Sequence, residues 1–292
     1  MPQSLYKYLS ADSAAKVLEN RTLRWATPGT FNDPADMQID LACDFDQGEA
    51  IDLTLEFLWR RCQGGGPPAL HDIARLIEQK RETWLEMGEA AFRRDVREIV
   101  KQTLQVLPEQ TRGFSAGVRE MLTRCKVICF SERRDSNLMW SHYGESHAGA
   151  VLEFRDAEGL DSPYKLARPI QYSDRPPQIF EGPEEFARFI AGDAPFPKDI
   201  GNRMIYTKSA DWVYEREWRI SAWTGREPDS PVEYSPFSVE ELHAIYFGCK
   251  ASEGTRVKLT ELVKVRYPRA QIWNCRRDEH GYALRFELDK SN

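Results

Sequence analysis

The sequence of 292 residues lacks the hydrophobic segments that direct proteins into or across membranes. No run reaches the length of about 18 apolar residues that a membrane-spanning helix requires. The first residues, MPQSLYKYLSAD, contain no apolar stretch of the kind found in signal peptides. We therefore expect a cytoplasmic protein with no membrane partner.

An excess of basic charge is also absent. Lys and Arg number 40 against 46 Asp and Glu, which gives a formal net charge of −6. This balance disfavours a protein built as one basic nucleic-acid-binding face. A nucleic-acid acceptor could still bind to a local basic patch, for example around Arg266, Arg269, Arg276 and Arg277. Disorder of the whole chain is excluded, because eight Trp, eleven Tyr and fourteen Phe are too many for it.

Metal-binding spacings are missing from the cysteines and histidines. The closest of the six cysteines, Cys125 and Cys129, lie four residues apart on a predicted strand rather than in a CxxC motif. The five histidines form no HExxH motif. The sequence therefore predicts no resident metal and reduced, partly buried thiols, as is usual in the cytosol.

Strand-like and helix-like patterns alternate irregularly, which predicts an α+β fold with a mixed central sheet. A helix is predicted after Ser10, with Ser10 or Asp12 as its N-cap. Residues 136–149 are predicted to form one or two helical turns or a structured loop, and further helical segments are predicted at 180–208 and 252–268. Strands are predicted at 5–8, 22–27, 126–132, 150–155, 169–174, 211–223, 242–248, 270–276 and 282–288.

Residues 46–124 differ from the rest of the chain. Apolar residues recur there every three or four positions among mixed charges, which is typical of amphipathic helices, and strand patterns are nearly absent. The segment QGGGPP, residues 63–68, separates two of these helices. Because the sheet-forming segments 1–45 and 125–292 must meet, we interpret 46–124 as a helical insertion within a single domain of residues 1–292.

Four clusters combine polar, charged and aromatic residues where packing alone does not require them. They are Lys7 between two tyrosines, the loop residues 31–34 with Asp36, the segment 139–143 and the segment 214–219. Three of the four have simple structural explanations. A strand-edge lysine can extend along the surface, Asx residues can cap their own loop, and the segment 139–143 can supply core aromatics and a surface histidine.

Glu215 and Glu217 are the residues that packing explains least well. In a strand they point the same way about 6–7 Å apart, where like charges raise a pKa unless they are partnered. Beside aromatic residues in a cleft, such carboxylates suit hydrogen bonding to ribose hydroxyls. They also suit stabilisation of a cationic, oxocarbenium-like transition state. The structural alternative is a solvated strand face that exposes two charges.

The order of these clusters resembles a bacterial family known as domain of unknown function 2971. The resemblance covers essentially the whole chain, and the helical stretch is matched least. The family name implies no activity. The matching segments are LYKY (5–8), TLRWATPGTFNDPAD (22–36), ICFSE (128–132), NLMWSHYGESHAGAVLEF (137–154), WVYEREWRI (212–220) and IYFG (245–248).

A second resemblance is to the ADP-ribosyltransferase fold. In that fold an early strand offers His or Arg, a middle element offers Ser or Tyr, and a late strand offers the catalytic Glu. Lys7 stands at the first place here instead of His or Arg, and its ammonium group offers a point charge rather than a planar array of donors. Ser141 and Tyr143 stand at the second place. Glu217 matches the catalytic glutamate, and Glu215 matches the residue two before it.

This second resemblance implies an NAD-dependent ADP-ribosyltransferase or an NAD glycohydrolase, in phage defence or a toxin system, with a protein or nucleic-acid acceptor. Trp140 or Tyr143 would stack on the nicotinamide, and Arg219 would hold a glutamate by a charge-assisted pair. The implied catalytic residues are Glu217, Glu215, Ser141 and Tyr143. The implied NAD-binding residues are Lys7, Tyr8, Asn32, Asp33, Trp140, His142 and Arg219.

The same clusters are also compatible with two other functions. One is a metal-dependent hydrolase or nuclease, because acidic oxygens with one histidine suit Mg²⁺ or Mn²⁺. Its ligands would be Asp33, Asp36, Glu215, Glu217 and His142. The other is a non-catalytic sensor or binding module of a defence operon, which would use the helical insertion as its partner surface.

Overall fold

The computed structural model describes residues 3–65, 71–157 and 159–289. It has an α+β fold with a large mixed sheet, as the sequence predicts. The chain divides into two compact units. The first comprises Met1–Gln38, Met121–Asp174 and Tyr206–Asn292, and the second comprises Ile39–Glu120 and Arg175–Ile205. Residues 66–68 of the predicted Gly and Pro linker lie outside the described residues.

Ten strands of the first unit form the large sheet in the described part of the chain. The twelve strands of the described residues are β1 Leu5–Leu9, β2 Thr22–Ala26, β3 Lys126–Ser131, β4 Ala150–Phe154, β5 Arg168–Pro169, β6 Gln171–Ser173, β7 Thr207–Ser209, β8 Glu217–Ala222, β9 Val232–Pro236, β10 Leu242–Phe247, β11 Gln271–Arg277 and β12 Leu284–Leu288. A separate two-stranded sheet is formed by β6 and β7. The order of the large sheet is β12-β11-β10-β4-β1-β3-β2-β9, and β8 pairs with β3 and β5. Because β10 and β11 are parallel while β1 is antiparallel to both neighbours, the sheet is mixed.

The helices of the described residues are α1 Ala11–Asn20, α2 Gln47–Cys62, α3 Asp72–Gln79, α4 Arg81–Met87, α5 Glu89–Leu122, α6 Asn137–His142, α7 Pro183–Ile190, α8 Ile200–Tyr206 and α9 Glu253–Arg266. Side-chain N-caps open four of them, α1, α2, α6 and α9. The hydroxyl of Ser10 accepts from the Ser13 N–H, so Ser10 is the N-cap of α1 rather than Asp12. None of the described helices is both long and apolar enough to cross a membrane.

The main core of the first unit lies between the sheet and the pair of helices α1 and α9. Leu18 of α1 and Leu259 of α9 are buried in one cluster with Leu152 of β4 and Ile245 of β10. Burying each such side chain contributes about 1.5–3 kcal/mol. This packing holds β4 in place, and β4 pairs along its whole length with β1, on which the candidate site is built.

The second unit is mostly helical in its described part. Arg61 of α2 is buried, and its guanidinium forms ion pairs of 2.6 Å with Glu78 and with Asp193. Phe45 and Phe186 also pack together, with ring centroids 5.3 Å apart. These contacts join the segment 175–205 to the segment 39–120 within this unit.

The predicted strand 211–223 is wrong in its first half. Residues Ala210–Glu215 form a 3-10 helix, because the Ser209 hydroxyl accepts from the Asp211 N–H and caps the turn. Arg216 then adopts a left-handed conformation, with φ of 45°, before β8 begins. The two glutamates therefore do not share one strand face.

The other differences also lie close to β8. The predicted strand 169–174 is divided into β5 and β6, because the Ile170 N–H donates to the carbonyl of Glu217 in the adjacent strand. Residues 207 and 208, the end of a segment predicted as helix, belong to β7, which pairs in parallel with β6. Strand β9 has no counterpart among the predicted strands.

Candidate functional site

A cavity of about 130 Å³, which we call the inner cavity, lies in the first unit beside the central strand β1. Four segments of the chain meet there: β1, the loop after β2, the segment from β3 to the end of α6, and the segment from β7 to β8. The lining includes Lys7, Asn32, Tyr143, Lys208, Glu215 and Glu217.

Strand pairing sets the position of the two glutamates. Ser131 of β3 pairs with Tyr6 of β1 on one side and with Glu217 of β8 on the other. The Ser131 hydroxyl also donates to the backbone carbonyl of Glu215 at 2.6 Å. The Tyr172 hydroxyl accepts from the Glu217 N–H at 2.8 Å. These bonds fix the backbone from which both carboxylates extend.

Three carboxylates converge on the ammonium group of Lys208. Its Nζ lies 2.5 Å from Glu215 Oε2, 2.9 Å from Glu217 Oε2 and 3.5 Å from Asp36 Oδ2. All four side chains are at most 5 % exposed. Burial alone would lower the pKa of Lys208. The three carboxylates of Glu217, Glu215 and Asp36 outweigh this effect and raise the pKa above its ordinary value, so the amine stays protonated.

Arg219 lies behind the carboxylates and is fully buried. Its Nη atoms donate to the two carboxylate oxygens of Asp36 at 2.8 and 2.5 Å, and its Nε donates to Glu217 at 2.5 Å. Two cations, Lys208 and Arg219, thus face three carboxylates. With all three ionised, the cluster would have one uncompensated negative charge, so we expect one carboxyl group to retain a proton readily.

The two glutamates differ strongly in proton affinity. Burial raises the pKa of Glu215 to about 7, and the Lys208 ammonium offsets only part of this shift. Burial acts in the same direction on Glu217, but Arg219 and Lys208 outweigh it and hold the pKa of Glu217 well below its ordinary value. Near neutral pH, Glu217 is therefore ionised while Glu215 exchanges its proton.

Tyr143 and Asn32 orient the carboxylate of Glu215. The Tyr143 hydroxyl donates to Glu215 Oε1 at 2.6 Å and accepts from Asn32 Nδ2 at 3.0 Å. Burial, and then the charge of Glu215, raises the pKa of Tyr143, so the hydroxyl remains a donor. The chain of bonds from Asn32 to Glu215 leaves the carboxylate a single favoured orientation.

Lys7 of β1 also lines the cavity. Its Nζ donates to the backbone carbonyl of Cys129 at 2.7 Å and lies 5.6 Å from the centroid of the Phe130 ring. Burial lowers the pKa of Lys7 from its ordinary value. Lys7 belongs to no ion pair within 4 Å among the described residues.

Both glutamates and the lysine that they share come from one continuous part of the chain, whereas Asp36 lies outside it. Residues 139–220 match DUF2971, a family of proteins of unknown function. This DUF2971 segment contains Tyr143, Lys208 and both glutamates, whereas Lys7 and Asn32 precede it. No curated protein and no solved structure matches the chain.

The structure brings six of the eleven predicted site residues to the inner cavity and places five outside its lining. Those that line it are Lys7, Tyr8, Asn32, Tyr143, Glu215 and Glu217. Those outside it are Asp33, Trp140, Ser141, His142 and Arg219. Most of the predicted cluster therefore converges, although the residues come from distant parts of the chain.

Three of the outlying residues lie on or beside α6 within the DUF2971 segment. Trp140 is fully buried, and its Nε1 donates to the carbonyl of Arg134 at 2.8 Å. A side chain enclosed in this way cannot stack on a ligand, which corrects the expectation for Trp140 and leaves Tyr143. The Ser141 hydroxyl lies 3.3 Å from His147 Nε2, and the His142 ring packs against Tyr214.

The other two outlying residues hold parts of the site in place without lining the cavity. Asp33 is buried, and its Oδ1 accepts from the Ala35 N–H at 2.8 Å, which stabilises the loop turn that carries Asn32. Arg219 acts on the cavity through Glu217, as the sequence analysis expected for a charge-assisted pair.

Lys208 is the main site residue that the sequence analysis missed. It lies in a segment predicted as helix, and its position depends on the pairing of β7 with β6. A lysine several residues before an acidic pair is too common a pattern to single it out. Asp36 was expected only as a metal ligand, and it instead pairs with Arg219.

The described residues contain no group of three or more His, Cys, Asp or Glu side chains that could hold a metal ion. The metal hypothesis places Asp36, Glu215 and Glu217 around a divalent cation. In the structure these three side chains converge on the Lys208 ammonium. His142 does not line the cavity with them.

Proposed function

We propose that the inner cavity breaks the N-glycosidic bond between nicotinamide and ribose in an NAD-type dinucleotide. The observation that supports this is a pair of buried carboxyl groups, Glu215 and Glu217, which line one cavity and share the Lys208 ammonium group. Their surroundings shift their pKa values in opposite directions. Glycoside-cleaving sites use one ionised carboxylate and one that exchanges a proton. Transfer of ADP-ribose to water is glycohydrolysis, and transfer to another acceptor is ADP-ribosylation.

In this mechanism the bond from the ribose carbon to the nicotinamide nitrogen breaks, and its electron pair leaves with neutral nicotinamide. The ribose becomes cationic, and the Glu217 carboxylate stabilises that charge. Glu215 accepts the proton of the attacking water or acceptor hydroxyl. The rings of Tyr143 and Phe31, which line the cavity, provide the contact surface for nicotinamide.

Incubation of the full chain with NAD labelled in both halves tests the proposal. We expect free nicotinamide together with ADP-ribose, or with ADP-ribose bound to an added protein or nucleic acid. Chromatography with mass spectrometry identifies the products. Binding of intact NAD without any product in these reactions would contradict cleavage and favour the sensor alternative.

Cleavage is expected to increase with pH through about 7. Glu215 accepts a proton only in its ionised form, and its pKa is about 7. Below that value the rate should rise by up to about tenfold per pH unit, and above it the rate should level off. A profile of kcat from acidic to alkaline pH measures this, and a flat profile through neutrality would exclude Glu215 as the base.

The Tyr143→Phe variant is expected to shift this profile to higher pH. The hydroxyl stabilises the ionised form of Glu215, so its loss raises the Glu215 pKa by roughly one unit. Tyr282→Phe is the matched control, because Tyr282 is 96 % exposed and lies outside the inner cavity. An unchanged midpoint in Tyr143→Phe would show that this hydrogen bond does not tune the base.

A further inference from the structure

A second cavity of about 580 Å³, which we call the outer cavity, continues from the inner one. The two share six lining residues, among them Lys7, Phe31, Asn32 and Tyr143. The rest of the outer cavity is formed mainly by α1, β2 and β3. Ligand sites for molecules of moderate size usually enclose about 300–1,000 Å³. The inner cavity alone therefore holds a ring-sized group, and the outer cavity has room for the remainder of a larger ligand.

The outer cavity is lined by cations without any acidic residue. Lys7, Lys16 and Arg24 face it, and no Asp or Glu side chain contributes to its lining. Within the part of the chain that the structure describes, none of these three cations forms an ion pair. This contrasts with Lys208 and Arg219, whose charges are compensated by carboxylates. An anionic ligand would supply the missing counter-charge.

An exposed aromatic ring lies beside these cations. Tyr234 of β9 lines the outer cavity and pairs across the sheet with Arg24 of β2. Its side chain is 60 % exposed, although a tyrosine ring usually packs at least one face. A free aromatic face next to a cluster of cations is suited to a nucleotide, because the ring stacks on the base while the cations bind phosphate.

We propose that the outer cavity binds the adenosine diphosphate part of the substrate. The phosphates lie at Lys16 and Arg24, the adenine ring stacks on Tyr234, and Lys7 stands where the two cavities join. The identification of this ligand as part of a dinucleotide substrate rests on the proposed function. The binding site itself is independent of the cleavage step, because Lys16, Arg24 and Tyr234 do not belong to the carboxylate cluster.

Titration calorimetry of the full chain with ADP tests this assignment. We expect Lys16→Gln and Arg24→Gln each to weaken ADP binding at least tenfold, and higher salt to weaken binding to the native chain. Tyr234→Leu should weaken the binding of adenosine and ADP while leaving that of inorganic pyrophosphate unchanged. Lys258→Gln is the matched control, because Lys258 is an exposed lysine of α9 outside both cavities.

The outcomes separate the two proposals. If ADP binds and the Lys16→Gln and Arg24→Gln variants lose it, the outer site stands even if the native chain does not cleave NAD. If the native chain cleaves NAD and both variants retain its KM, the outer site is overturned while the proposed function stands. Equal affinity for ADP in all variants, including Tyr234→Leu, would likewise overturn the outer site. All three substituted side chains are exposed, so the variants should fold.

Discussion

Glu217→Gln is expected to lower the rate of nicotinamide release from NAD by at least about 100-fold, because in the proposed mechanism it removes the negative charge that stabilises the cationic ribose. The amide retains the size of the side chain. Arg219 keeps Asp36 as its partner, and Lys208 keeps Glu215 and Asp36. The variant should therefore fold, and the loss should appear in kcat rather than in the amount of native protein.

The matched control for this variant is Glu153→Gln. Glu153 is also fully buried and accepts hydrogen bonds from Ser4, Tyr246 and Arg155, but it does not line the inner cavity. Circular dichroism and thermal unfolding should show both variants folded, with cleavage lost only in Glu217→Gln. Native turnover in Glu217→Gln would remove Glu217 from the mechanism.

Arg219→Met is expected to lower the free energy of unfolding by about 3–5 kcal/mol, because it leaves two buried carboxylates with only the Lys208 ammonium. Arg276→Met is the control. Arg276 pairs with Glu287, and the two side chains are 69 % and 56 % exposed, so its removal should cost less than about 1 kcal/mol. Urea denaturation at neutral pH measures both changes. A loss below about 1 kcal/mol in Arg219→Met would show that the carboxylates are not buried charges.

The effect of Arg219→Met should depend on pH. The folded-state pKa of Glu217 is depressed, so the stability that its charge contributes is present above the ordinary value of 4.5 and is lost as the pH falls below it. The difference between the native chain and Arg219→Met should therefore be largest near neutral pH and shrink in acid. Repeating the denaturation at several pH values tests this sign.

The sequence predicts the strands well because alternation of apolar and polar residues is a local signal. Strands β1, β3, β4 and β10 lie where the pattern places them, and Ser10 caps α1 as one of two expected residues. The pattern fails around β8, where a left-handed residue interrupts the alternation. Arg216 carries no local feature that indicates such a conformation, which usually favours glycine.

Most residues of the cluster around Glu215 could be predicted from the sequence, but their ion pairs and protonation states could not. Sequence reasoning placed Lys7, Tyr143 and both glutamates near one another. It did not include Lys208, and it could not divide the roles of the glutamates, because the opposite shifts of their pKa values arise from partners that only the folded chain supplies. Burial and ion pairing are properties of tertiary structure, so no spacing in the sequence encodes them.

The inner cavity takes Lys7 from near the start of the chain and Glu217 from its last third. During synthesis from the N-terminus, β1, β3 and β4 leave the ribosome long before β8 does. The cavity therefore lacks Lys208, Glu215 and Glu217 until about three quarters of the chain has been made. The proposed cleavage would be absent from nascent chains and from truncated products that end before Glu217, and it would begin only after β8 has paired with β3.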